Sequence, residues 1–213
     1  MGSSKLFDLA AAAPLMGLLG LEIAVSLPAV PQTPQGAHFA LAVGCAYANL
    51  VFSSLLIILL IVRRLPLRKT SGVLPRAVAI SGFLLPMAMA ILPRAELTPS
   101  AAVVSTGVIL VGTVAATVAS LWLGRSFSIL PQARGLVTSG PYRFVRHPLY
   151  LAELIVLLGA IVAFAQPWAF FVLVAAVMVQ LIRIGYEERI LTEAFPAYAN
   201  YASQTARLVP GIY

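Results

Sequence analysis

Long apolar segments constrain this chain more than any other feature of its sequence. They recur along its whole length, separated by short polar stretches: residues 9–25, 38–62, 73–92, 101–123, 149–165 and 168–184. A helix needs about 20 predominantly apolar residues to cross a bilayer. Hydrophobic residues make up 61% of the 213 and charged residues only 10%, which leaves no segment for a separate soluble domain. The sequence predicts an all-α polytopic membrane helix bundle of about six spans, in a single domain of residues 1–213.

The first segment decides the number of spans. Lys5 ahead of an apolar run is also typical of a signal peptide, but the run is long and lacks a clear cleavage site, which favours a retained span. Five spans result instead if this segment only lies at the membrane surface. Within the spans, Glu22 is expected to pack against a neighbouring helix, and Gly107 and Gly112 to let helices approach closely.

The last two segments predict a helical hairpin followed by an amphipathic helix. Only Gln166 and Pro167 separate segments five and six, so the two helices must reverse tightly and run antiparallel. Beyond them, apolar residues recur at helical spacing among charged residues over residues 186–202. This pattern predicts a C-terminal amphipathic helix at the membrane surface, bent at Pro196.

Basic residues indicate the orientation in the membrane. With six spans, all of them except Arg94 fall on one side: Lys5, Arg63, Arg64, Arg68, Lys69, Arg76, Arg125, Arg134, Arg143, Arg146, Arg183, Arg189 and Arg207. Because cytoplasmic loops are enriched in Lys and Arg, both termini and residues 134–150 are predicted to be cytoplasmic. Topology therefore accounts for the net charge of +7, and no nucleic-acid partner is expected.

We call residues 134–150, the longest polar interruption, the connector. Gly135 and Gly140 permit positive φ and a close approach of the backbone to a ligand. Pro148 fixes its own φ and suits the first turn of the fifth helix. With several Arg and Tyr side chains and His147, the connector could hold a polar cofactor through backbone N–H groups and aromatic packing. The alternative is a positively charged loop whose long side chains lie along the membrane surface.

Ionisable residues near the last two segments are the other candidates for chemistry. Arg183 and Glu187 are four residues apart and share a helix face, Glu188 follows directly, and Glu153 lies one turn into the fifth segment. Ionisable groups at membrane depth are costly and tend to mark function. They could face the same cavity as the connector, or form ordinary ion pairs at helix ends.

Motifs of several common enzyme classes are absent from the sequence. It contains no HExxH, no Walker loop and no GxSxG nucleophile motif. The single cysteine, Cys45, can form neither an internal disulfide nor a metal cluster. No alternation of strand and helix patterns occurs, which excludes a soluble nucleotide-binding fold.

A series of short motifs occurs in order over residues 120–210. It comprises LGRSFS at 123–128, GLVTSGPYR at 135–143, RHPLY at 146–150 and EERIL at 187–191, then Phe195, Tyr198, Tyr201, Arg207 and Pro210. Taken together, these motifs resemble the isoprenylcysteine carboxyl methyltransferase family, which is grouped with the membrane phospholipid methyltransferases.

The resemblance implies S-adenosylmethionine as methyl donor and S-adenosylhomocysteine as product, bound at the cytoplasmic face by residues 124–213. Residues 1–123 would supply four N-terminal spans, and a lipophilic acceptor would enter from the bilayer. By position in the motifs, the cofactor-binding residues are Leu136, Val137, Gly140, Tyr142, His147, Pro148, Tyr150 and Glu187. The family commonly has Gly at the positions of Ala152 and Pro196. These differences bear on the identity of the acceptor more than on the identity of the cofactor.

The same resemblance implies roles for four charged residues. Arg183, or else Arg146, would orient an anionic acceptor. Glu187 or Glu188 would bind cationic or ribose groups of the cofactor, or act as a base if the acceptor is an amine. No metal is needed, because a sulfonium already carries an activated methyl group and transfer to a carboxylate requires alignment and desolvation.

Several functions are compatible with these features. The expected acceptor is the carboxylate of a prenylated cysteine or a similar small lipid, and a phospholipid amine is the first alternative. A sterol-type membrane reductase would bind a nicotinamide cofactor instead. A small transporter gated by the connector is the non-enzymatic alternative, although polar residues along the middle of the spans are few and scattered. The sequence leaves the oligomeric state open.

Overall fold

The structure, a computed structural model, describes residues 2–26, 38–89, 91–164 and 166–211. Within these residues the chain forms seven α-helices: α1 (Gly2–Ser26), α2 (His38–Val62), α3 (Leu74–Met89), α4 (Pro99–Leu123), α5 (Pro148–Ala160), α6 (Trp168–Ala194) and α7 (Tyr198–Gln204). The links between them hold three short 3-10 helices, Gly124–Ser126, Gly140–Arg143 and Ile161–Ala163, and two strands of two residues, β1 (Arg68–Lys69) and β2 (Gln132–Ala133).

Each of the six apolar segments contains a helix, which confirms the predicted all-α membrane bundle. In the described part of the chain, α1, α2, α4 and α6 are long and apolar enough to cross a membrane. The helices α3 and α5 are apolar but shorter. Helix α3 covers Leu74–Met89, and α5 together with the 3-10 turn that follows it covers Pro148–Ala163. The protein is therefore an integral membrane protein, in which α3 packs against α6 and α5 against α4.

Helices α4 and α5 approach each other most closely at two glycines. A Cβ at Gly112 would lie 2.8 Å from the backbone nitrogen of Val156, and one at Gly159 would lie 2.9 Å from the backbone nitrogen of Ile109. The Ser105 hydroxyl donates to the Gly159 carbonyl at 2.7 Å. The predicted close approach at Gly112 is thus confirmed, because any side chain there would push the two backbones apart.

The helices α5 and α6 run antiparallel after the reversal at residues 166–167, as predicted. Polar side chains pair them: the Tyr150 hydroxyl donates to Glu187 at 2.6 Å, and the Gln180 amide donates to Glu153 at 2.7 Å. The backbone of α5 packs closely on α4. These polar side chains lie on the side of α5 that faces α6.

The C-terminal helices divide at a different residue from the one expected. The sequence predicts a span that ends at Ile184 and a separate helix over residues 186–202, but α6 continues unbroken to Ala194 and α7 begins at Tyr198. A glycine such as Gly185 only weakens a helix, whereas Pro196 cannot donate the backbone hydrogen bond that the helix needs. The expected bend at Pro196 is therefore a complete break.

Helix α1 packs along α2 and is joined to it by hydrogen bonds. Asn49 donates to one carboxylate oxygen of Glu22 at 3.0 Å and Ser53 donates to the other at 3.2 Å. Leu19 of α1 and Leu60 of α2 belong to the same buried apolar cluster. The expectation that Glu22 packs against a neighbouring helix is confirmed.

The strand pair joins the link after α2 to the residues before the connector. Arg68 pairs with Ala133 and Lys69 with Gln132 in an antiparallel register. The backbone N–H of Leu67 also donates to the Ala133 carbonyl at 2.7 Å. The chain thus enters the connector from a position fixed against the end of α2.

Candidate functional site

A cavity lies where α2, α3, α5, α6 and the connector meet, and it encloses about 590 Å³ including its open mouth. Its apolar lining consists of Phe52, Leu56, Phe83, Leu123, Phe127, Ile129 and Leu149. Its polar lining consists of Ser128, Tyr142, Arg146, His147, Tyr150, Glu153, Arg183 and Glu187.

Tyr150 is at the centre of the polar wall. Its hydroxyl donates to Glu187 at 2.6 Å, and its ring stacks on the His147 ring at 5.4 Å between centroids and 8° between planes. The Arg183 guanidinium carbon lies 4.8 Å from the centre of the Tyr150 ring. One aromatic side chain therefore fixes the positions of a carboxylate, an imidazole and a guanidinium.

Arg183 reaches the cavity between α3 and α5. Its Nη1 donates to Gln180 at 3.0 Å and lies 3.9 Å from a carboxylate oxygen of Glu153. On the other side its stem passes over Gly82, where a Cβ would lie 2.5 Å from the Arg183 Cδ. The absence of a side chain at Gly82 gives the guanidinium its space.

Adjacent Glu187 and Glu188 face different surroundings. Glu187 lines the cavity. Glu188 forms ion pairs with Arg146 at 2.9 Å and with Arg207 at 2.9 Å, and it lies 3.2 Å from the His147 Nε2. Glu188 therefore holds the connector and the C-terminal tail together, while Glu187 accepts from the Tyr150 hydroxyl and faces the cavity.

Six of the predicted site residues come together around this cavity: Tyr142, Arg146, His147, Tyr150, Arg183 and Glu187. The other five, Leu136, Val137, Gly140, Pro148 and Glu188, are not among its lining residues. Gly140 has φ +60° and packs against the Trp122 indole, so that a Cβ there would overlap the ring. Pro148 occupies the first turn of α5, as predicted.

The C-terminal segment covers the connector. The Tyr201 hydroxyl donates to the Tyr142 carbonyl at 2.6 Å, and the Arg146 N–H donates to the Ala206 carbonyl at 2.8 Å. Burial raises the pKa of Tyr142 well above its usual range, and the nearby Glu187 carboxylate acts in the same direction. The Tyr142 hydroxyl therefore stays protonated at neutral pH, and it donates to the Ala119 carbonyl at 3.4 Å.

The part of the site that comes from the N-terminal half was not predicted from the sequence. Phe52, Leu56 and Phe83 form much of the apolar wall, but aromatic and aliphatic residues within apolar segments carry no signal that separates cavity lining from lipid contact. Gln180 and Gly82, which position Arg183, have no motif of their own. A polar residue at the middle of a span, such as Gln180, was the one available clue.

The fold and the site define a polytopic helical membrane protein with a half-polar, half-apolar cavity at one end of its bundle. Residues 97–198 match the family model described as Phospholipid methyltransferase. The predicted resemblance to the isoprenylcysteine carboxyl and phospholipid methyltransferase family is thereby confirmed for this half of the chain. The match begins just before α4 and ends at the start of α7, so it contains the connector and both Glu187 and Glu188.

Three curated proteins match about half of the chain. Over 111 residues the chain is 39% identical to Protein-S-isoprenylcysteine O-methyltransferase A of Arabidopsis thaliana, across 48% of this chain and 55% of that protein. Over 103 residues it is 38% identical to the cobalt-zinc-cadmium resistance protein CzcN of Cupriavidus metallidurans, across 47% of each. It is also 35% identical over 113 residues to the nickel-cobalt-cadmium resistance protein NccN of Alcaligenes xylosoxydans xylosoxydans, across 52% of this chain and 51% of that protein. The matches thus span about half the length of each relative.

A solved structure shares the fold over nearly the whole chain. It is that of the eukaryotic intramembrane Ras methyltransferase ICMT (isoprenylcysteine carboxyl methyltransferase). The TM-score is 0.55 at 21% sequence identity, over 92% of this chain and 74% of that chain. At this identity the likeness establishes the arrangement of the helices alone.

Proposed function

We propose that this protein is an S-adenosylmethionine-dependent membrane methyltransferase that acts on a lipophilic acceptor. The acceptor group is the carboxylate of a prenylated cysteine or of a similar small lipid. The proposal is supported by the family match over residues 97–198 and, above all, by one observation on the cavity. Its lining has two characters, with charged and aromatic groups from the connector, α5 and α6, which we call the polar wall, and apolar side chains such as Phe52, Leu56 and Phe83 of α2 and α3, which we call the apolar wall.

The polar wall suits a small zwitterionic and cationic ligand. Glu187 offers a carboxylate to cationic or ribose groups, Tyr142 offers a hydroxyl, and the stacked His147 and Tyr150 rings offer aromatic surface. Such convergent polar and aromatic groups in a concave site are typical of cofactor binding. When bound, S-adenosylmethionine supplies a methyl group that is already activated on a sulfonium.

Arg183 is the residue that we assign to the acceptor. A guanidinium presents a planar set of donors that matches a carboxylate, and Gln180 together with the Tyr150 ring fixes its direction. The apolar wall would take the lipid part of the acceptor and exclude water from the transfer. In this arrangement the chain supplies orientation and desolvation, which are sufficient for transfer to a carboxylate.

A phospholipid amine is the second candidate acceptor. It is favoured by the two carboxylates, Glu153 and Glu187, that line the cavity, because a carboxylate can accept the proton that an amine loses. Replacing the natural lipid mixture with single lipids that carry either a carboxylate or an amine distinguishes the two candidates.

The membrane orientation is part of the proposal. The cavity lies at the end of the bundle where the basic residues of the α2–α3 link and the connector are placed. Because Lys and Arg are enriched in cytoplasmic loops, we assign this end and both termini to the cytoplasm. The methyl donor would then reach the cavity from the cytosol and the acceptor from the bilayer.

Transfer of a labelled methyl group tests the proposed function. Purified protein in detergent is incubated with labelled S-adenosylmethionine and a total lipid extract, and the labelled product is identified by mass spectrometry. We expect a base-labile methyl ester on a lipophilic acid. A base-stable N-methyl lipid would replace the first candidate with the second. If no lipid is labelled and the protein binds NADPH instead, the methyltransferase proposal is wrong and a membrane reductase takes its place.

A further inference from the structure

An aspartate near the start of α1 lies buried between two arginines from other parts of the chain. Asp8 is 5% exposed. One of its carboxylate oxygens accepts from the Arg63 Nε at 2.9 Å, and the other accepts from the Arg134 Nη2 at 2.7 Å. Arg63 follows α2, while Arg134 is the first residue of the connector. This single carboxylate therefore joins three segments that are far apart in sequence.

Arg134 has further bonds that tie the connector to the end of α2. Its Nη1 donates to the Arg64 carbonyl and, at 3.2 Å, to Oδ2 of Asp8, the oxygen that also accepts from Arg63. Its Nη2 also donates to Gln132, in β2, at 2.5 Å. The guanidinium is fully buried and spans α1, the α2–α3 link and β2. Its place in the chain is two residues before Leu136, which the motifs assign to cofactor binding.

The cost of this arrangement argues for a specific role. Two buried guanidinium groups share one carboxylate, and removing that carboxylate would leave both charges without compensation. Apolar packing already attaches α1 to α2 through Leu19 and Leu60. Buried ion pairs add little stability over apolar packing, and their best attested use is to fix one relative position of the groups that they join.

We propose that Asp8 and Arg134 are positioning residues for the methyl-donor site, and we call their ion pair the α1 latch. The latch holds the first residues of the connector in the position from which the rest of the connector reaches the cavity. Helix α1, which lies outside the region matched by the family model, thereby contributes to donor binding without touching the donor. This inference rests on the proposed function.

Two arginine substitutions separate this role from a purely structural one. Arg134→Gln breaks the latch, also removes the bonds from Arg134 to the Arg64 carbonyl and to Gln132, and leaves Asp8 paired with Arg63. Arg63→Gln leaves the latch intact and removes the bond between α1 and the end of α2. Each variant loses one positive charge and keeps one arginine for the buried carboxylate, and the two differ in whether the connector is held.

The test compares S-adenosylhomocysteine binding, by calorimetry, and methyl-transfer kinetics in the parent protein and these two variants. Melting in detergent is measured for both variants. For Arg134→Gln we expect the dissociation constant and the KM for the donor to rise by about 10- to 100-fold, the effect of a small misplacement far from the chemistry. We expect kcat to change much less, because the groups that face the acceptor are unaltered. For Arg63→Gln we expect a dissociation constant for the donor within about twofold of that of the parent. We expect its melting temperature to fall about as much as that of Arg134→Gln.

Other outcomes overturn the inference. Parental donor binding by a folded Arg134→Gln variant contradicts the latch, as does equal weakening of binding by Arg63→Gln. If Arg134→Gln is not extracted in folded form, Arg134→Lys replaces it, because lysine keeps the charge but lacks the planar fork that reaches several acceptors. Parental donor binding by Arg134→Lys would then contradict the latch. A parent protein that binds no S-adenosylhomocysteine overturns the proposed function, and the latch with it.

Discussion

The polar and apolar walls of the cavity are built in different ways. On the polar wall, Tyr150, Glu187 and Arg183 are linked by directed contacts. On the apolar wall, Phe52 and Phe83 contribute surface without directed bonds. Loss of one member of a polar network disturbs the other members. An apolar surface, in contrast, tolerates substitutions that conserve side-chain volume. Single substitutions should therefore be severe on the first wall and mild on the second.

The largest effect is expected for Glu187→Gln, which keeps the shape of the side chain and removes its charge. Turnover should fall by about 100-fold, because the carboxylate faces the cavity, binds Tyr150 and would hold the donor in line for transfer. Methyl-transfer rates and detergent melting are measured together. The matched control is Glu193→Gln, on the exposed side of the same helix, which should retain full activity. Near-parental turnover by a folded Glu187→Gln variant would remove Glu187 from the site.

A smaller effect is expected for Gly82→Ala, which acts on the polar wall from α3. The added methyl group would lie 2.5 Å from the Arg183 Cδ, so the guanidinium must move. The kcat/KM for the acceptor should fall by about tenfold, while donor binding changes little. Gly107→Ala is the control, since a Cβ there meets only a Leu41 methyl group at 3.9 Å. Unchanged acceptor kinetics would show that the position of Arg183 is unimportant for the reaction.

The apolar wall is tested by Phe83→Leu, a change that keeps the character of the surface and alters its shape. Such a substitution costs about 1.5 kcal/mol or less, so the acceptor KM should rise no more than roughly tenfold. Donor binding should match the parent protein. Phe171→Leu, at an exposed position on α6, serves as the control. A loss of turnover as large as that of Glu187→Gln would show that the apolar wall is as sensitive to single substitutions as the polar wall.

The smallest effect on activity is expected for Tyr201→Phe, which removes the hydrogen bond from α7 to the connector. Stability should fall by about 1 kcal/mol, measured by melting in detergent. Burial raises the pKa of Tyr201 to about 12, above the unfolded value of about 10. The bond is therefore fully present below about pH 10 and is lost as the pH rises through the folded pKa. A stability difference that already fades between pH 7 and pH 9 contradicts this assignment.

The C-terminal half of the site was predictable because its residues lie in local motifs. Pro148 marks the first turn of α5, and the spacing of Arg183 and Glu187 places both on one helix face. Which of Glu187 and Glu188 faces the cavity was not predictable, because neighbouring helix residues point about 100° apart and only the packed partners decide between them. Arg146 and Arg207 are those partners of Glu188.

The N-terminal half was predictable only as helices. The apolar segments and the close contact at Gly112 follow from composition and residue size. The pairing of Asp8 with Arg63 and Arg134 does not, since it joins three segments that are distant in sequence. Local rules also placed the end of the sixth span at Ile184, where the apolar character fades, whereas the helix continues until Pro196 interrupts it.

The central claim is that the cavity binds the methyl donor through its polar wall. Titration of the purified protein with S-adenosylhomocysteine, followed by calorimetry, tests this claim most directly when the parent, His147→Ala and Glu187→Gln are compared. We expect one binding site per chain in the parent, a dissociation constant raised at least about tenfold in both variants, and no displacement by NADPH. Parental affinity in both folded variants, or no binding by the parent, would show that the donor does not bind at this cavity.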